Sequence, residues 1–275
     1  MEPTACDRIG RAGSDDFHAI PAGEYRVGIP RETALHITPP GIHSLKQDYL
    51  LSSTPVHTRS LRGCMISRFP VTRADFEAFA DDTGHVTDAE REGWGWVADG
   101  GRWIKREGVT WRFPFGDGAD DVCREHGGRM PVFQASWNDA EAFCGWISGR
   151  TGRTVRLPFE AEWEVFAAAA GVPGLAEAPL PERGISSPDF TGYCAAVLES
   201  IDGLGFLPAG VLWEWCADWF DAYPGGAPNR EYGRVYRVLR GGSLQSHPLQ
   251  RAREYRFRRC PTARSPYYGF RIALE

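Results

Sequence analysis

The sequence has no run of about eighteen apolar residues, so it offers no candidate for a membrane-crossing helix. Its opening, MEPTACDRIGRAGSDD, lacks the hydrophobic stretch of a signal peptide. These absences predict a cytoplasmic protein with no membrane contact. No two cysteines are spaced CxxC, and the seven present, at positions 6, 64, 123, 144, 194, 216 and 260, have no metal-ligand spacing. A zinc ribbon and a thioredoxin-like motif are therefore excluded, and all seven thiols are expected to be reduced, several of them buried. An excess of positive charge is also missing: 31 basic against 36 acidic residues give −5, with both signs interspersed, which argues against a nucleic-acid partner.

What the chain has instead is ring and turn residues. Ten Trp, 32 Gly and 20 Pro point to a fold rich in irregular segments, its interior filled by large aromatics rather than long helices. With 42% hydrophobic residues among 275, one sizeable core can form. Residues 1–17 read as a loose polar leader and 18–275 as a single domain.

Segment 18–29 suggests an early strand or hairpin around Pro21, and 30–60 looks like a long surface excursion. A helix is expected after Thr72, with Asp75 three residues on, Phe76 and Phe79 on one face and Gly84 as its stop. Residues 93–116 read as short strands with tight turns. A second helix follows Ser136 or Asn138 and ends at Gly149 or Gly152; a third follows Pro158, with Trp163, Phe166 and Ala167 facing inward. Residues 171–200 are Pro/Gly-rich and weakly patterned, and the last third turns to short strands. Helices in the middle and strands at both ends give an α+β class. From Arg251 to Arg271 basic residues crowd together with almost no acid, which suggests a local cationic surface unless those arginines pair with carboxylates elsewhere.

Seven blocks carry a family resemblance: IPAGEYRVG (20–28), FPVTRADFEAF (69–79), GVTWRFPFG (108–116), MPVFQASWNDAEAFCGWISGRTGRTVRLPFEAEWEVFAAAAG (130–171), GVLWEWCADWF (210–220), RVLRGGS (237–243) and GFRIA (269–273). In content and order they resemble the formylglycine-generating enzyme (sulfatase-modifying factor) superfamily over residues 18–275. The resemblance implies a C-type-lectin-like fold with little regular secondary structure. Read residue by residue, Trp137, Trp146, Trp163, Trp213 and Trp215 fit core or cleft walls, and Glu160, Glu162 and Glu164 fit scaffold at a helix start. Gly241 and Gly242 should allow a tight bend toward the cleft.

The resemblance also implies a site. Sulfatase-activating members bind copper through two cysteine thiolates; here those positions are Ser246 and Arg251, which cannot form a dithiolate. The family's disulfide is missing as well, since Ile272 stands opposite Cys144. Ser243 falls on the cleft serine, His247 on the histidine after the first cysteine and Arg253 on an arginine of the substrate groove. The expected set is therefore His247, Ser243 and Tyr255 for catalysis, and Arg253, Ser246, Arg251 and Trp213 for substrate binding. Removing His247 should affect chemistry before stability.

Glu214 and Gly210 align with a family calcium site whose asparagine is replaced by Val211. His247, with another of His18, His36, His43, His57, His85 or His126, is the candidate ligand for a transition metal, iron or copper. The tail REYRFRRCPTAR also resembles the ergothioneine and ovothiol sulfoxide synthases, iron enzymes whose histidine ligands come from a separate bundle for which this chain has no room. Two functions follow as expectations. One is an O2-dependent oxidoreductase, not a sulfatase activator, that modifies a small molecule or peptide in a biosynthetic pathway. The other is a lectin-like module that binds a peptide, a sugar or a partner protein; in either case a partner protein could complete the site.

Overall fold

In the computed structural model, which describes residues 16–38, 45–99, 102–116, 127–178, 190–204 and 209–275, the longer helices begin where the sequence caps them. Ahead of one (Arg73–Thr83, α3), the Thr72 hydroxyl accepts the Asp75 N–H at 3.2 Å while the Asp75 carboxylate accepts the Thr72 N–H at 3.1 Å. Gly84 ends it in the left-handed region, at φ 66°. Ser136 and Asp139 repeat this box before α5 (Trp137–Thr151), and Gly152 closes that helix. Between these two lies the short α4 (Asp88–Glu92), boxed in the same way by Thr87 and Glu90. The third predicted helix is α6 (Glu160–Ala169), with Trp163, Phe166 and Ala167 buried as expected.

Two four-stranded sheets organise the chain. In the first, β1 (Phe17–Ile20), β4 (Cys64–Ser67), β12 (Ala273–Leu274) and β7 (Val155–Arg156) lie in that order, so the C-terminal strand sits between β4 and β7. Ala273 is in register with Ile66 on one side and Arg156 on the other. In the second, the order is β10 (Phe257–Arg259), β9 (Arg237–Arg240), β8 (Trp213–Trp219) and β11 (Tyr268–Gly269), with β11 parallel to β8. Two ribbons complete the set: β2 (Gly23–Val27) with β3 (His57–Leu61), and β5 (Trp94–Asp99) with β6 (Arg102–Glu107). Strands and helices are mixed throughout, as an α+β class requires.

Three expectations need correction. The segment 18–29 is not a hairpin: β1 pairs with β4 and β2 with β3, because the chain leaves one sheet at Pro21 and enters another at Gly23. Residues 30–60 are not a mere surface excursion. They hold α1 (Arg31–His36), α2 (Gln47–Leu51) and most of β3, and they bury Ala34, Leu45 and Leu50 completely. The weakly patterned 171–200 runs into a fifteen-residue helix, α7 (Phe190–Leu204), whose buried Tyr193, Cys194, Val197, Leu198 and Ile201 recur at helical spacing. Of the leader, residues 1–15 lie outside the described residues; Phe17 already belongs to β1.

The main core gathers Phe76, Phe79, Phe143 and Trp111, with the Phe76 and Trp111 rings 5.1 Å apart, each ring's burial stabilising by roughly 1.5–3 kcal/mol. A second cluster packs Trp163 and Phe166 of α6 against Ile66 and Val238. Between them runs a layer of buried ion pairs. Glu160 grips Arg256 with two bonds of 2.7 and 2.8 Å, Glu162 grips Arg156 at 2.7 and 2.8 Å, and Glu164 meets Arg240. On β8, Glu214 takes Arg271 at 2.7 and 2.9 Å and also accepts the Trp163 indole N–H at 2.8 Å. The cationic surface suggested for 251–271 is therefore not formed: Arg256, Arg258, Arg264 and Arg271 are all buried and all paired with carboxylates.

Candidate functional site

Two glycines set the site's geometry. Gly241 and Gly242 take φ 92° and 65°, and a Cβ on either would collide, with the Trp163 ring at 2.9 Å or with Arg251 Cγ at 2.8 Å. The bend delivers a turn in which Ser246 N–H donates to the Ser243 carbonyl at 2.8 Å and the Ser246 hydroxyl accepts the Ser243 N–H at 2.9 Å. The two hydroxyls stand 3.2 Å apart. Directly after comes a four-residue helix, α8 (Pro248–Arg251), capped by His247.

The structure brings five of the expected residues to this turn: Ser243, Ser246, His247, Arg251 and Gly210. His247 is buried, and its Nδ1 accepts the Leu249 N–H at 3.2 Å, so a neutral ring with a lone pair on Nδ1 is required. Burial holds its pKa below 6.5, consistent with that state. Arg251 is half-exposed, and its Nε donates to the Gly210 carbonyl at 3.0 Å. No carboxylate among the described residues pairs with it, and burial alone pushes its pKa down.

The remaining expected residues lie elsewhere. Arg253 donates to the Val172 carbonyl at 3.0 Å and meets Glu254 at 3.0 Å and Glu177 at 3.3 Å. It fastens the 172–177 loop. Tyr255 is fully buried against Tyr49 and Trp213, at 6.3 and 6.1 Å between ring centres, and burial raises its phenol well above 10. Trp213 packs on Phe257 at 4.7 Å. Glu214 has both carboxylate oxygens engaged by Arg271 and Trp163, which makes it the internal counter-ion of Arg271.

The metal expectations can be tested on the donors themselves. A copper dithiolate does not fit a serine hydroxyl and a guanidinium. Among the described residues no three His, Cys, Asp or Glu side chains converge as a metal-binding group. His18, His36, His57 and His85 are dispersed, the last donating from Nε2 to the Asp139 carboxylate at 2.9 Å; His43 and His126 lie outside the described residues. Of the seven cysteines, Cys64, Cys144, Cys194 and Cys216 are buried and Cys260 is exposed, none of them in a disulfide, and burial pushes the Cys64 thiol up to about 12. Cys6 and Cys123 lie outside the described residues.

Sequence reasoning missed the aromatic flank. Gln245, in the middle of the turn, hydrogen-bonds the Tyr267 hydroxyl, and the Tyr267 ring meets Tyr193 at 4.9 Å and Trp103 of β6 at 5.5 Å. The Tyr193 hydroxyl donates to the Val211 carbonyl at 3.1 Å, and Leu244 N–H donates to the same oxygen at 3.0 Å. Trp103, beside Ile104 in a strand otherwise made of charged residues, is the sequence signal that could have hinted at this.

A separate recess of about 160 Å³ is lined by His57, Arg59, Glu160, Asp218, Asp221 and Tyr223. In it Asp218 accepts the Glu160 N–H at 2.6 Å at the start of α6. Burial, reinforced by the neighbouring Glu160 charge, raises the Asp218 carboxyl to about 6.

A family model for the sulfatase-modifying factor enzyme 1-like domain matches residues 7–184 and 203–275. The chain is 35% identical to a formylglycine-generating enzyme of Streptomyces coelicolor, with 81% of each covered. It is 31% identical to the inactive C-alpha-formylglycine-generating enzyme 2 of Bos taurus, over 80% of this chain and 79% of that one. Among solved structures, PvdO from Pseudomonas aeruginosa matches with a TM-score of 0.58 at 22% identity, covering 95% of this chain and 96% of that one.

Proposed function

The chain belongs to the sulfatase-modifying factor enzyme 1-like family, and from that premise we propose that it recognises a carboxylate-bearing small molecule or peptide at the 243–251 turn instead of oxidising a cysteine. The observation that carries this reading is Arg251. In a protein that pairs its buried arginines with carboxylates so consistently, a half-buried guanidinium held, among the described residues, by one carbonyl and no anion has its fork available to a ligand. Ser246, half-exposed beside it, adds a hydroxyl. Sulfatase activation through copper finds no thiols at Ser246 and Arg251.

The test is calorimetric titration with N-acetylglycine. Wild type should bind and Arg251→Gln should bind about tenfold more weakly or worse, the scale of one charge-assisted pair. Equal affinity in both would remove the reading. A companion experiment offers copper, O2 and a peptide carrying Cys-x-Pro-x-Arg, where no aldehyde should appear by mass spectrometry.

The rival reading, an O2-dependent oxidoreductase acting on a small molecule or peptide, is supported by the names of relatives such as the Streptomyces coelicolor enzyme. It would need a redox group, iron or copper, that the side chains of the turn do not hold. A partner protein is one source of it. With Nδ1 taken by the Leu249 N–H, the neutral His247 ring would then offer Nε2–H as a hydrogen-bond donor within the turn.

A further inference from the structure

The recess beside the start of α6 plays no part in the reading of the 243–251 turn and shares no lining residue with it. Most of its polar lining is already matched. Glu160 is gripped by Arg256 at 2.7 and 2.8 Å, and the Tyr223 hydroxyl donates to Glu160 at 3.4 Å while accepting from Arg240 at 3.3 Å. Two acceptors of the same lining are not matched. Asp218, on β8, spends Oδ2 on the Glu160 N–H, and its Oδ1 has no hydrogen-bond partner among the described residues. His57, on β3, donates from Nδ1 to the Pro55 carbonyl at 3.1 Å. Burial holds its pKa below 6.5, so the ring is neutral and its Nε2 carries a lone pair, again with no partner among the described residues. The His57 ring lies 4.3 Å from that of Tyr223, and both border the one cavity that Asp218 borders. Charge is unmatched too. Once Glu160 is set against Arg256, the lining keeps Asp218 and the exposed Asp221 against the exposed Arg59, an excess of one negative charge.

We infer that this recess binds a protonated primary amine, its ammonium taken by Asp218 Oδ1 and His57 Nε2 and its alkyl stem lying against Val27 and Ala161. An ammonium brings three N–H donors and one positive charge to a lining with unclaimed acceptors and a surplus negative charge. Water can fill the hydrogen bonds but cannot balance the charge. The size agrees: about 160 Å³ is room for about five waters at roughly 30 Å³ each, or for an amine on a short alkyl stem. Val27 and Ala161 give that stem an apolar wall, Val27 being the cross-strand neighbour of His57. Three charges reach Asp218: Glu160 of α6, Arg256 ahead of β10, and Arg59, two residues along β3 from His57. Burial and the Glu160 charge together raise its carboxyl to about 6, so at neutral pH it is ionised without a bonded counter-charge, and a bound ammonium supplies one. The site is independent of Arg251, and neither reading depends on the other.

The test is calorimetric titration of the intact protein with n-butylammonium chloride, beside n-butanol as its uncharged counterpart. The amine should bind at pH 7.5 and the alcohol should not. Asp218→Asn keeps an acceptor for the Glu160 N–H and removes only the charge; it should bind the amine about tenfold more weakly or worse, the scale of one charge-assisted hydrogen bond. Arg59→Gln, which removes a like charge from the lining, should bind about two- to threefold more tightly, a gain that a damaged fold cannot imitate. Lowering the pH from 7.5 to 5 should weaken wild-type binding about tenfold as Asp218 takes up a proton, since the ammonium itself stays charged to about pH 10. Asp218→Asn, left with His57 as the titrating acceptor, should show a shallower fall. An end-blocked Gly-Lys-Gly peptide separates the sources of the amine: tighter binding than n-butylammonium identifies a lysine side chain of a partner protein, weaker binding a free small amine. If the alcohol binds as well as the amine, if Asp218→Asn binds the amine as wild type does, or if Arg59→Gln weakens it, the inference falls. A thermal melt of each variant verifies that it is folded.

Discussion

Arg271 and Arg251 meet opposite electrostatic circumstances in the same family of loops and strands. Arg271 is completely buried and saturated: two bonds go to Glu214, which also takes the Trp163 indole, and others go to the Ser67 and Arg68 carbonyls. Arg251 is half-buried and, among the described residues, anchored by a single carbonyl and without an anion. The difference teaches how to read an arginine-rich tail. A charge that costs several kcal/mol to desolvate is tolerated inside only when its partners are built in, so the saturated arginines are scaffold. Arg251, left without an anion among the described residues at a glycine-shaped turn, is the one to which the proposed ligand is assigned.

The largest effect should come from unbalancing the saturated side. Glu214→Gln leaves Arg271 buried with no counter-charge and should lower stability by about 3–5 kcal/mol in chemical denaturation. A loss under about 1 kcal/mol would mean the buried pairs are not scaffold, and the contrast with Arg251 would break. His247→Ala should follow at about 1 kcal/mol, because the ring caps α8. This revises the expectation that its removal would spare stability. The sign with pH follows from the cap: burial holds the folded pKa below 6.5, so the unfolded chain takes up the proton first. Stability on this account is full above pH 6.5 and declines below it, and His247→Ala should flatten that decline in melts taken between pH 5 and about 8.

Asp218 sharpens the comparison as an exception within the paired region, a carboxylate beside Glu160 that no guanidinium bonds among the described residues. Its folded pKa, raised from 3.8 to about 6, makes the folded state hold the proton longer. Its contribution is therefore full below pH 3.8 and lost as pH rises through about 6. Asp218→Asn keeps an acceptor for the Glu160 N–H and should gain up to about 1 kcal/mol at neutral pH, discounted for partial exposure. A loss at neutral pH would show the charge to be needed. Smallest of all, Arg251→Gln should change stability by no more than about 0.5 kcal/mol while affecting ligand binding. A drop as large as that of Glu214→Gln would make Arg251 scaffold too.

Local signals made parts of this fold legible. Thr72 with Asp75, Ser136 with Asp139, and the closing Gly84 and Gly152 are cap chemistry written within a few residues, and the helices stand where that chemistry puts them. Helix α7 was hidden because a Pro/Gly-rich stretch precedes it and Gly192 lies in its first turn, although its apolar spacing is helical. The site was harder. Its blocks placed Ser243, Ser246, His247 and Arg251 together, but the partners that decide each role are remote: Glu177 and Val172 claim Arg253, and Arg271 claims Glu214. No pattern in the chain announces a contact across 57 or 81 positions. The histidine cap was missed for a different reason, since histidine is not among the usual capping residues.

The place of β12 has a consequence for how the chain comes into being. Residues Ala273 and Leu274 hydrogen-bond to β4 on one flank and β7 on the other, so the middle of the first sheet is supplied last. During synthesis β4 and β7 are both made before their shared neighbour exists, and each presents an open edge for as long as the ribosome takes to travel from Arg156 to Leu274. A nascent chain of this protein therefore cannot complete that sheet by vectorial folding; the sheet closes only once residue 274 has emerged.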